Sequence, residues 1–208
     1  MNFELPYIYP ITDTRLSGIS HAEQVEKLIC GGATLIQLRE KQASPADFFK
    51  AADDVVTIAR KNGVRIIVND RVDIALAVKA DGVHLGQDDL PPDAARAILG
   101  KNAIIGFSTH TLDQALAAIK LPVDYIAFGP IFQTKTKLDP DAVVGLDGLK
   151  RVREAIGDFP MVAIGGINRE NLQSVFDAGA GSAAMIGAIV ADPSAIERRM
   201  ADLLALSS

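Results

Sequence analysis

Eight short apolar runs, helical patterns in the gaps between them, and polar residues gathered at the run ends predict an α/β fold. The expected architecture is a single-domain (β/α)8 TIM barrel over residues 1–208. The runs occupy residues 7–12, 35–39, 65–68, 82–85, 104–108, 125–129, 161–165 and 183–186. They are near-continuously apolar, as strands of a parallel sheet are when both faces are buried. An open doubly wound sheet is the competing architecture. The barrel is favoured because nearly every run ends in polar residues or glycine, and that fold collects its chemistry at the C-terminal ends of its strands.

The gaps carry helix signals in order. Val25 to Ile29 form an apolar helical stretch that places Cys30 in the core. Ser44-Pro45 opens the next helix, with serine as N-cap and proline at the first turn. Phe48, Phe49, Ala52, Val55, Val56 and Ala59 follow at helical spacing, and Asn62-Gly63 ends the segment. Thr111 and Gln114 form a capping-box pattern before Leu112, Ala115 and Leu116. Asn168 and Asp192 are expected to cap the last two helices.

A chain of 208 residues can bury roughly 70% of its unfolded surface, so one large core is available. The net charge of -5 argues against nucleic acid or an anionic membrane as partner. A single cysteine excludes an internal disulfide. No leader pattern opens the chain and no apolar run nears the length of a membrane span, so a cytoplasmic protein is expected. Oligomeric state is not readable.

The chemistry concentrates at the strand ends. Gln37-Leu38-Arg39-Glu40-Lys41 closes the second run, Asn69-Asp70 closes the third, and Asp89 follows the fourth. Arg39 and Lys41 offer a planar fork and a point charge, the pair of cations that would clamp a diphosphate. Arg39 and Glu40 could instead pair with one another. Asp70 and Asp89 are hard oxygen ligands of the kind Mg²⁺ takes one or two of, completing its shell with water and substrate phosphates. Helix capping is the alternative for both. Ser108 and His110 end the fifth run, and Thr134, Lys135, Thr136 and Lys137 lie in the loop after the sixth. Gly165-Gly166 and Ile186-Gly187 match the usual phosphate corner of this fold, where backbone N–H groups cradle the anion. His84 reads as a satisfied core histidine and His21 as a surface one. His110 is open between touching a ligand and opening a helix.

With these residues in view, the chain resembles the thiamine phosphate synthase family almost end to end. The resemblance is carried by YPITD (9–13), QLREK (37–41), VNDRVDIALAVKADGVHLGQDDLP (68–91), STH (108–110), FGPIFQTKTK (128–137) and AIGGI (163–167), in that order and spacing. It implies a transferase that couples a hydroxymethylpyrimidine diphosphate with a thiazole phosphate or its carboxylated form. Diphosphate leaves in a dissociative, Mg²⁺-dependent substitution, and small phosphorylated molecules are the expected partners. Residue by residue, it assigns Gln37, Leu38, Arg39, Glu40, Lys41, Asn69, Ser108 and Lys137 to the pyrimidine diphosphate. Asp70 and Asp89 match the metal ligands. Thr134 and Thr136 match the thiazole-phosphate loop, with Gly165 or Gly166, Ile186 and Gly187 at its phosphate, and Lys135 is expected among the substrate-binding residues. Arg39, Lys41, Ser108 and Lys137 are the expected catalytic groups.

Many relatives carry serine where this chain has Gly187, so weaker thiazole-phosphate binding is expected. Residues 135–143 lack apolar periodicity, which leaves open a loop that closes over the substrates. Three other functions compete, one of them a generic phosphate-binding barrel isomerase, which activity independent of Mg²⁺ would favour. A thiazole tautomerase of the same superfamily is disfavoured by Pro130, where that branch places a histidine nearby, and by the intact charged set. A silent barrel binding thiamine precursors would be marked by a broken metal pair, and Asp70 and Asp89 are both present.

Overall fold

The computed structural model describes residues 4–134 and 142–207. Eight parallel strands follow the chain in order: β1 (Ile8–Pro10), β2 (Leu35–Leu38), β3 (Arg65–Asn69), β4 (Gly82–Leu85), β5 (Ile104–Thr109), β6 (Tyr125–Phe128), β7 (Met161–Ile164) and β8 (Ser182–Met185). Neighbours pair in sequence from β2 to β8, and β8 then pairs β1. The remaining seam is held by a parallel bridge between Ile11 and Gln37, where the Thr12 N–H donates to the Gln37 carbonyl at 2.9 Å. The predicted barrel is therefore the observed one.

Helices fill the connections: α1 (Thr14–Ser17), α2 (His21–Cys30), α3 (Pro45–Lys61), α4 (Val72–Ala77), α5 (Pro92–Leu99), α6 (Leu112–Ala118), α7 (Gly145–Ile156), α8 (Leu172–Asp177), α9 (Gly187–Val190) and α10 (Ile196–Leu204). Strand side chains alternate between two cores. Ile8, Ile36, Leu38, Ile66 and Val68 face the helices. Tyr9, Ile11, Leu35, Ile67, Tyr125 and Val162 fill the barrel. Apolar packing on both faces is why the strands read as unbroken apolar runs.

Most helix signals hold. Ser44 Oγ accepts from the Asp47 N–H at 3.2 Å with Pro45 in the first turn, and Asn62 ends α3. Thr111 Oγ1 accepts from the Gln114 N–H, but Gln114 Oε1 takes the His110 N–H at 2.7 Å, one residue earlier than a capping box requires. Two caps differ. Asn168 accepts from the N–H groups of Glu170 and Asn171 and shapes the turn before α8, whose N-cap is Asn171. Asp192 accepts from Ser194 in a turn four residues ahead of α10, and Ala195 stands at the N-cap.

Two burial expectations are corrected. Cys30 is exposed. It lies two residues beyond the buried Leu28, about 200° round the helix and so on the opposite face. His21 is buried at 4% exposure, because the first turn of α2 packs on the β1 and β2 ends and its ring is bonded at both nitrogens. No helix among the described residues is long and apolar enough to cross a membrane.

Candidate active site

A cavity of about 790 Å³ opens at the C-terminal ends of the strands. Gln37, Arg39, Lys41, Asn69, Asp70, Asp89, Ser108, Thr134, Gly165, Gly166, Ile186 and Gly187 all line it. Lys135, Thr136 and Lys137 lie outside the described residues, as does most of the 135–143 loop. Leu38 and Glu40 are not on its wall. Strand alternation turns Leu38 outward, fully buried against the helices.

Glu40 is occupied by the loop it belongs to. Its Oε1 accepts the N–H groups of Lys41, Gln42 and Ala43 at 2.8, 2.7 and 3.2 Å. Its Oε2 meets His21 Nε2 at 3.2 Å and the Thr14 hydroxyl at 3.4 Å. Burial works to raise its pKa, yet the hydrogen bonds from Gln42, His21 and Ala43 outweigh it and hold the carboxyl below its ordinary value. Glu40 thus shapes the turn that carries Lys41. It does not pair with Arg39. Arg39 reaches instead to Asp13, Nη1 to Oδ2 at 2.9 Å, while its own N–H donates to Thr12 Oγ1 at 3.2 Å. Asp13 is itself held as the N-cap of α1, accepting from the Leu16 N–H at 3.0 Å. The guanidinium is therefore oriented before any ligand arrives.

Asp70 caps no helix. Its backbone is left-handed, φ 62°, a conformation Asp tolerates better than most residues. The Asp70 N–H donates to the His84 carbonyl at 2.8 Å, which holds the residue against β4. Its carboxylate forms an ion pair with Lys41. Asp89 caps no helix either: its Oδ2 accepts from the Gly86 N–H at 2.7 Å. Burial, together with the Asp70 carboxylate beside it, raises the Asp89 pKa despite that N–H. Two carboxylates this close repel unless a proton or a cation lies between them. Among the described residues no group of three or more His, Cys, Asp or Glu is gathered as for a fully protein-built metal site. A pair is what Mg²⁺ commonly takes when substrate phosphates complete its shell.

Asn69 adds an unmet donor. Its Nδ2 is buried without a hydrogen-bond partner, and the residue lines the cavity. An orphaned donor costs about 1–3 kcal/mol, which a ligand acceptor would offset. Across the rim, Gly165 and Gly166 have φ of 105° and 64°. A Cβ on Gly166 would stand 2.5 Å from the Gln133 carbonyl oxygen and 2.7 Å from Phe132 Cβ. Only glycine lets the loop after β6 lie this close, with the Phe132 N–H donating to the Gly165 carbonyl at 3.0 Å. Beside them α9 begins at Gly187 with Ile186 as N-cap and no side-chain cap bond.

Sequence reasoning gave no site role to Tyr9, His84 or Asp13. Tyr9 and His84 line the cavity from inside the barrel, and Asp13 stands behind Arg39. The available signal was a tyrosine and a histidine at inward positions of otherwise apolar strands. His84 is the satisfied core histidine expected, bonded at both ring nitrogens. His110 does both things proposed for it: it lines the cavity, and its N–H joins the Gln114 side chain at the start of α6.

A parallel barrel with oriented cations, paired carboxylates and a glycine corner on one rim defines a phosphate-handling TIM-barrel enzyme. The thiamine monophosphate synthase family matches residues 8–189, and the chain belongs to that family. A thiamine-phosphate synthase from Chloroflexus aurantiacus is 46% identical over 203 residues, 96% of this chain and 93% of the relative. One from Clostridium novyi is 48% identical, covering 88% and 90%. The structure of thiamine phosphate pyrophosphorylase from Pyrococcus furiosus superposes with a TM-score of 0.84 at 36% identity, covering 96% of this chain and 95% of that one.

Proposed function

We propose that the cavity couples hydroxymethylpyrimidine diphosphate with thiazole phosphate to give thiamine phosphate and diphosphate, or with its carboxylated form to give the same products and carbon dioxide. Family membership makes the chain a transferase of thiamine biosynthesis acting on phosphorylated precursors. In the proposed reaction the bond from the pyrimidine methylene to the diphosphate oxygen breaks, and its electrons leave with the diphosphate. The thiazole ring nitrogen then forms the new C–N bond to that methylene. Such a step needs charge stabilisation on the leaving group and a placed nucleophile more than a general base.

One observation carries the metal dependence. Among the described residues of this rim, Arg39 and Lys41 stand against Asp13, Glu40, Asp70 and Asp89. Among the described residues each of these cations is matched by a carboxylate, and Asp70 and Asp89 stand side by side, so a further cation between those two would relieve their repulsion and accompany the diphosphate. Asp70 and Asp89 would hold Mg²⁺, which supplies charge neutralisation on the departing diphosphate. Arg39 and Lys41 would orient the diphosphate oxygens, Ser108 would donate a hydrogen bond to them, and Asn69 would offer its free amide. Gly166 and the backbone at Ile186 and Gly187 would receive the thiazole phosphate. Lys135, Thr136 and Lys137 are assigned by resemblance alone.

The test is direct. The purified protein is mixed with both substrates and Mg²⁺, and thiamine phosphate is assayed with and without EDTA. Mg²⁺-dependent product is expected. Folded protein that yields none would overturn the proposal.

A further inference from the structure

The barrel closes between β1 and β2, and that seam is its thinnest. Every other pair of neighbouring strands is joined by a ladder of three or more residue pairs. β1 and β2 share the one bridge between Ile11 and Gln37. Arg39 stands two residues beyond it and Lys41 four. The cations of the rim therefore sit where strand pairing holds the chain least, and side chains from outside the barrel make up the difference.

His21 and Gln24 lie three residues apart on one face of α2, and both are buried. A polar side chain is tolerated in such an interface where it is hydrogen-bonded, and the partners account for both. His21 Nδ1 is 2.9 Å from Thr12 Oγ1 on the β1 side of the seam, and its Nε2 is 3.2 Å from Glu40 Oε2 on the β2 side. Gln24 Oε1 accepts the Asp13 N–H at 3.0 Å. A capping box fixes the start of α2: Ser20 Oγ accepts the Glu23 N–H at 3.2 Å, and Glu23 Oε2 accepts the Ser20 N–H at 3.0 Å.

Each of these partners leads on to a cation. Thr12 Oγ1 accepts the Arg39 N–H, and Asp13 Oδ2 holds its guanidinium. Glu40 Oε1 gathers the N–H groups of Lys41, Gln42 and Ala43. Burial holds the His21 pKa below its ordinary value against the pull of Glu40 and Asp13, so the ring is neutral near pH 7 and contributes hydrogen bonds, not charge.

We propose that His21 is a positioning residue for the diphosphate side of the cavity. It staples the β1 and β2 ends together from α2, and so fixes where Arg39 and Lys41 present their charges. That the anion is a diphosphate rests on the proposed function; the staple itself does not.

Two measurements test it. The first is amide hydrogen exchange in the ligand-free protein. The Thr12 N–H crosses the seam to the Gln37 carbonyl, and the Arg39 N–H crosses it to Thr12 Oγ1. In His21→Leu both should exchange about tenfold faster, as expected for the loss of one or two hydrogen bonds, while the amides of β5 to β7 keep their rates. Unchanged rates at Thr12 and Arg39, or a rise shared by all strands, would overturn the staple.

The second is steady-state kinetics with each substrate varied in turn. His21→Leu should raise KM for the pyrimidine diphosphate about tenfold and change KM for thiazole phosphate less than about twofold, since the corner at Gly166 and Gly187 lies across the rim. His21→Gln, whose amide offers a donor and an acceptor, should recover most of the loss. Equal rises for both substrates, or a glutamine variant as impaired as the leucine one, would overturn the proposal. If His21→Leu does not fold, His21→Asn takes its place with the same kinetic expectation, because its shorter amide keeps the Thr12 side and does not reach Glu40. Wild-type protein that makes no thiamine phosphate overturns the functional reading, and the exchange rates then decide the staple alone.

Discussion

Gly187→Ser tests a position where the family resemblance leads one to expect a serine. The substitution is sterically open: a Cβ at Gly187 meets nothing within 4 Å, and the residue is not among the glycines with positive φ. The new hydroxyl would stand at the first residue of α9, on the cavity wall, where the proposed thiazole phosphate meets the backbone. One hydrogen bond to an anion is worth about 1.5–3 kcal/mol at most, an upper limit of ~10- to 150-fold in affinity. A water serving the phosphate in place of the hydroxyl would offset part of that gain, so KM for thiazole phosphate should fall about tenfold. kcat and the KM for the pyrimidine diphosphate should stay within about twofold, because neither depends on that hydroxyl. Replacing glycine also narrows the unfolded ensemble, so the thermal midpoint should hold or rise slightly. The assay is steady-state kinetics with thiazole phosphate varied at saturating diphosphate substrate. An unchanged thiazole-phosphate KM in a folded variant would refute placing that phosphate at Gly187.

Other outcomes follow from the same geometry. Asp70→Ala and Asp89→Ala should each abolish Mg²⁺-dependent turnover while circular dichroism stays native; full activity in both would remove the metal assignment. Arg39→Ala should raise KM for the diphosphate substrate more than for thiazole phosphate, since its guanidinium is aimed by Asp13 at one side of the rim. Equal losses would undo the clamp. Glu40→Gln should destabilise the fold by about 1–3 kcal/mol in urea titration, because the carboxylate accepts five hydrogen bonds that a neutral amide serves less well. His84 has its folded pKa depressed to about 4, so the unfolded chain binds the extra proton between that value and the ordinary 6.5. Its stabilising contribution is complete above about pH 6.5 and is lost as pH falls toward 4. The loss is at most ~3 kcal/mol, read as a falling urea midpoint that His84→Gln flattens.

The strands were legible because each is buried on both faces, which leaves an apolar run that periodicity alone can find. The rim was legible for a related reason. A barrel ends its strands at the cavity, so Arg39, Lys41, Asp70, Asp89 and Ser108 stand where apolar runs stop. Local capping was mostly legible too, since Ser44 and Thr111 act within one turn. His21 and Cys30 were misjudged because their exposure depends on which helix face meets the barrel, a matter of a rotation that short patterns specify weakly. Glu40 carried a substrate role in the motif, but three backbone N–H groups within three residues claim its Oε1 first.

The sequence by itself determined the eightfold alternation, the polar rim and the family, because these rest on local periodicity and on motifs of adjacent residues. Only the tertiary structure decided which side chains meet across the barrel. Arg39 turned to Asp13 and not to Glu40, and Lys41 to Asp70. Tyr9 met Tyr125, 116 residues away, under a Gly106 that leaves room for both. Such pairings come from barrel closure, which sets strand register and rotation together. No single segment carries that information, since it exists only once all eight strands have found their neighbours.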